Sequence, residues 1–219
     1  MVMDKSTLRI ISKAGFLLIV IGIFLPFVLN QNGFKVVNYL SDFFSENTEY
    51  FSNFSEEETE NFSIFKSGKN TFNISLYGIF IVSCIGVALF ILLLIKKFKY
   101  SIIFDWALII VSIIAMLGIF SGISNVLRYI PIMPDEINLF GITGVGKKVG
   151  YIGDIIFPLL KSGAYFIIAG VIISIIFNLT ASFANVKNNK IVYDIKLILI
   201  LLFVIFSLIF GCFLAILTG

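Results

Sequence analysis

Five apolar stretches, each about the length of a membrane-crossing helix, decide what this chain can fold into: Ile10–Leu29, Ile74–Ile95, Ile102–Ile123, about Ile155–Phe177, and Ile195–Leu217. A hydrocarbon core of about 30 Å takes roughly 20 helical residues at 1.5 Å each, so all five are long enough to span it. Ile, Val and Phe favour strands in water. In lipid the backbone must satisfy its own hydrogen bonds, so an isolated apolar segment becomes a helix. A membrane β-barrel would need apolar and polar residues to alternate, and here they do not.

Composition excludes the competing classes. Of 219 residues 59% are apolar and 13% charged, against about a quarter charged in soluble domains. A soluble domain of this size cannot hide so much apolar surface, and a disordered chain would carry little of it. The reading is an all-α integral membrane protein: one transmembrane domain over residues 1–219, a five-transmembrane-helix bundle with outer loops at 30–73 and 124–154. The first stretch is expected to be a retained anchor, because Asn30, Gln31, Asn32 and Gly33 follow it in place of a small-residue cleavage site.

Orientation follows from the short connections. Lys5, Arg9 and Lys13, then Lys96, Lys97 and Lys99, then Lys187, Lys190 and Lys196 fall on one side, which the positive-inside rule assigns to the cytoplasm. The expectation is a cytoplasmic N-terminus and, with five crossings, a C-terminus outside.

The loop between the first two stretches is long and acidic, carrying Asp42, Glu46, Glu49, Glu56, Glu57, Glu58 and Glu60, yet it is also rich in Phe. Val37, Leu40, Phe44, Phe51 and Phe54 approximate helical spacing and predict a surface helix leaning on the bundle, with a turn at Ser67-Gly68 closing the structured part. Pro131, Pro134 and several glycines mark the second outer loop as turns. Pro26 is expected to end or bend the first helix. The plan of the first four stretches, a long outer loop, a short basic inner turn and a shorter outer loop, resembles, in plan only, that of claudin-type and other tetraspan membrane proteins. The paired loop cysteines and the Trp-Gly-Leu-Trp signature of that family are missing, and a fifth stretch is added.

Chemistry-bearing motifs are sparse. There is no His, and Cys84 and Cys212 both lie inside apolar stretches. Gly141 to Lys148 matches a phosphate-binding loop except that Lys148 replaces the required hydroxyl, and neither the strand before nor the helix after is expected. The run Glu56 to Glu60 lacks the alternation and turn Gly of a calcium loop. Sequons stand at Asn53, Asn61 and Asn73. No catalytic, cofactor-binding or metal-binding residue is assigned, no cofactor is expected, and an enzyme is not.

Asp105 and Lys161 are the candidate intramembrane or interfacial charges. Lys161 is expected to snorkel outward from the fourth helix, and Asp105, beside Trp106, is given a structural role at the start of the third, since no other span offers an ionisable residue at depth. The most coherent signal is small residues at helical spacing: Gly15 and Gly22, Gly118 and Gly122, Gly170 and Ser174, and Ser207, Gly211 and Ala215. Helices in lipid associate by close backbone approach, so these are helix-packing candidates, facing either one another or a second protein. The expected partners are the bilayer and other membrane proteins or a second copy, with no nucleic acid. The functional expectation is a structural or accessory component of a larger membrane assembly; the alternative is a transporter or pore for a small solute.

Overall fold

The computed structural model describes residues 5–28, 30–46, 56–95, 102–129, 138–139, 142–143, 160–183, 185–187 and 190–192. These residues are almost entirely helical: α1 (Lys5–Phe24), α2 (Gly33–Glu46), α3 (Glu56–Leu94), α4 (Ile102–Tyr129) and α5 (Ser162–Phe183). Four of them, all but α2, contain windows long and apolar enough to cross a membrane, compatible with a multi-pass membrane protein. The fifth stretch, Ile195–Leu217, with Ser207, Gly211 and Ala215, lies outside the described residues.

The helices form two antiparallel pairs, α1 with α5 and α3 with α4, joined chiefly along α1 and α3. Their directions follow from which residues meet. Gly15 sits against Gly170 and Gly22 against Gly163, while Gly122 sits against Gly68 and Phe72, and Gly118 against Ser75. Phe16 packs over Gly86 and Phe24 meets Phe80, which together set α1 antiparallel to α3. The N-termini of α1 and α4 therefore share one end of the bundle with the C-termini of α3 and α5. The core runs along the bundle axis through Phe16, Ile19, Ile23, Phe72, Leu76, Ile79, Ile119 and Ile167. The opposite faces are apolar and exposed, as at Ile110 and Ile114 on α4 and Ile74 and Ile81 on α3.

Helix bounds differ from the sequence-based ones for identifiable reasons. The first helix stops at Phe24, because Pro26 starts a short strand (Pro26–Val28) that pairs antiparallel with Gln31–Asn32. The fourth transmembrane helix begins at Ser162, not Ile155. Just before it, Lys161 N–H donates to Phe27 O at 3.0 Å and Leu160 bridges Val28, so this stretch of chain is held extended.

The largest correction concerns the first outer loop. Helix α3 runs unbroken from Glu56 through Ser67-Gly68 to Leu94. Its 39 residues make a rod of about 58 Å, well beyond the hydrocarbon thickness. Gly68 is not a turn residue here. A Cβ at Gly68 would lie 2.7 Å from Asn125 Cβ and 2.9 Å from Gly122 O, so glycine is required by the approach of α4. Helix α2 packs on this extension through a stripe of Val36, Val37, Leu40 and Phe43. Phe44 stacks on Phe65 at 4.7 Å, and Lys69 Nζ stands 4.3 Å above the Phe44 ring, a cation–π contact tying α2 to α3. Phe51 and Phe54 lie outside the described residues.

Candidate functional site: a buried ionic cluster between helices

At the end of the bundle where α1 and α4 begin, three charged side chains meet. Arg9 and Lys13 are four residues apart on α1 and so share a face, and that face is turned toward the first turn of α4. Arg9 Nε donates to Asp105 Oδ2 at 2.9 Å, and Lys13 Nζ ion-pairs with Asp105 Oδ1 at 2.7 Å. Lys13 and Asp105 are fully buried and the Arg9 side chain is 16% exposed. The Lys13 ammonium also lies 5.2 Å from the Phe16 ring centroid. In so apolar a setting each charge is costly to bury alone, and the carboxylate between the two cations offsets that cost.

Asp105 is therefore not without an ionisable partner, as the sequence-based assignment had it. Arg9 and Lys13 read as part of a solvated basic flank because they precede the apolar body of the first stretch. Helix α1 begins as early as Lys5, which draws both into the packed interface. The available signal was the four-residue spacing of two cations on an otherwise apolar helix. Lys161, in contrast, precedes α5 and is exposed.

A polar seam continues from the cluster along α1 and α5. Ser12 Oγ donates to Ser174 O, and Ser174 Oγ donates to Ser12 O, each at 2.9 Å. This reciprocal pair needs near contact of the two backbones. Gly15 and Gly170 permit it: a Cβ on either would collide with the facing backbone carbonyl oxygen. Trp106 Nε1 donates to Ser182 Oγ at 3.1 Å, linking α4 to α5, and Ser182 Oγ donates to Asn178 O. Asn178, one turn from Ser174, is fully buried, and neither its Oδ1 nor its Nδ2 has a hydrogen-bond partner among the described residues. Ser83 and Ser124 likewise bury hydroxyls without partners among those residues.

Of the small residues singled out in the sequence, Gly15, Gly22, Gly170 and Ser174 meet across α1 and α5, and Gly118 and Gly122 meet α3. Sequence reasoning missed Ser12, Gly86, Gly163 and Asn178 as packing residues and read Gly68 as a turn. Comparison with family models, with curated proteins and with solved structures found no match.

Proposed function

We propose that the chain is a structural or accessory membrane protein, part of a larger membrane assembly, with its N-terminus in the cytoplasm. The supporting observation is the use to which the polar groups of the bundle are put. Arg9, Lys13 and Asp105 join α1 to α4, Ser12 and Ser174 join α1 to α5, and Trp106 and Ser182 join α4 to α5. A bundle cross-braced in this way is a rigid body that presents apolar outer faces to lipid or to a neighbour. Among the described residues, Gly15, Gly22, Gly68, Gly118, Gly122, Gly163, Gly170 and Ser174 are occupied internally, so an assembly contact there falls to outward faces such as that of Ile110 and Ile114.

The test is purification in mild detergent after cross-linking in the native membrane. Stoichiometric partner proteins, or a defined oligomer, are expected. A second reading, a transporter or pore for a small solute, is favoured by the buried polar groups of Ser83, Ser124 and Asn178. Solute flux through proteoliposomes of the isolated protein, abolished by Asn178→Leu, would replace the first reading with the second.

A further inference from the structure

Asn178 is the one fully buried side-chain amide among the described residues, and both of its polar atoms are left over by the packing. Such a group inside an apolar bundle forgoes up to four hydrogen bonds, and in stable proteins buried polar atoms are almost always satisfied. Its place in the fold supplies a neighbour. The facing pairs Gly22–Gly163, Gly15–Gly170 and Ser12–Ser174 define the antiparallel register of α1 on α5. Continued by one turn, that register brings Asn178 level with Thr7 and Leu8, within two residues of Arg9. Side chains on a helix lean toward its N-terminus, and Lys13 does so, since its Nζ reaches the same carboxylate as Arg9. This register places the ammonium of Lys13 and the amide of Asn178 near one level of the bundle, where α1 meets α4 through Asp105 and α5 through Ser12 and Ser174.

We infer that this junction is an internal hydration site, in which bound water bridges the Asn178 amide to the Lys13 ammonium. The donor and acceptor sets match. Lys13 carries three N–H donors and has one carboxylate contact, to Asp105. Water accepts from the ammonium and donates to Asn178 Oδ1, and a second water accepts from Asn178 Nδ2. An anion would satisfy the donors and leave Oδ1 facing a like partial charge, so a molecule that both donates and accepts is the better occupant. Buried water of this kind makes about three hydrogen bonds to groups the protein leaves unpaired. The site stands independently of both functional readings, because a rigid scaffold and a solute pathway accommodate it equally.

The experiment is water-edited solid-state NMR on the full chain in nanodiscs, with ¹⁵N-asparagine labelling and the Asn178 side-chain signal identified by its loss in Asn178→Leu. Rapid magnetisation transfer from water to the Asn178 amide is expected, at a rate approaching that of the exposed Asn38. In Lys13→Met the transfer should fall at least severalfold. Absence of transfer in the unaltered protein means a dry amide and overturns the inference, as does transfer indifferent to Lys13→Met. Should Lys13→Met fail to fold, the melting temperature of Asn178→Leu decides. A fall of several degrees is expected if water ties Asn178 to Lys13, whereas a rise marks an orphan amide whose removal relieves the bundle and overturns the site.

Discussion

Asp105 holds two cations inside the helix bundle, and its removal has a definite sign. In Asp105→Asn the amide keeps the shape but not the charge, leaving the buried Lys13 ammonium without its counter-ion. Breaking a buried pair from one side costs about 3–5 kcal/mol, so the variant should unfold at markedly lower temperature or detergent-denaturant concentration. Replacing Arg9, Lys13 and Asp105 together by Leu, Met and Leu should recover most of that loss, because apolar side chains of similar volume often substitute for a buried ionic group without penalty. The glycines divide just as clearly. A Cβ at Gly15 would meet Gly170 O and Ser174 Oγ, whereas one at Gly78 would meet nothing within 4 Å. Gly15→Val is expected to cost about 1–3 kcal/mol or to separate α1 from α5, while Gly78→Ala should leave stability unchanged or slightly raised. Thermal unfolding in detergent distinguishes the two.

At the scale of elements, α3 carries most of what is unusual. Its hydropathy places a membrane-crossing window at Phe62–Leu94, yet the helix starts at Glu56 and offers its N-terminal part as a platform for α2. The platform is aromatic: Phe43, Phe44, Phe62 and Phe65 meet there, with Lys69 over Phe44. Those Phe residues made the outer segment look too apolar for a solvated linker, and α2 with its buried stripe is the physical explanation. Continuity through Ser67-Gly68 is measurable. Nitroxides at Ser63 and Tyr77 stand 14 residues apart and should give one narrow distance near 21 Å, as a straight helix requires. A turn at Ser67-Gly68 would shorten or broaden that distribution.

For the whole molecule, sidedness is the property with the widest consequences. Placing the Arg9–Lys13–Asp105 cluster at the cytoplasmic end puts α2 and the start of α3 outside. In a background lacking Cys84 and Cys212, a cysteine at Glu46 should react with membrane-impermeant maleimide applied to intact cells. One at Lys5 should react only after permeabilisation. The reverse pattern would invert the bundle and remove the support that the basic inner segments lend to the orientation.

Hydropathy and length alone determined that this chain builds membrane-length helices, because lipid leaves an isolated apolar segment no other way to satisfy its backbone. The small residues at four-residue spacing were equally legible, since spacing on one helix is a local property. Which faces they meet was not: Gly15 opposite Gly170 and Gly68 opposite Gly122 depend on the order and direction of helices far apart in sequence. The same holds for the ionic cluster. Arg9 and Asp105 are separated by 96 positions, and only the packing of α1 on α4 turns an apparent basic flank and an isolated acid into one buried site. Pro26 already marked in the sequence where the first helix ends; tertiary structure decided where α5 starts, because backbone pairing between Phe27 and Lys161 holds the chain extended just before Ser162.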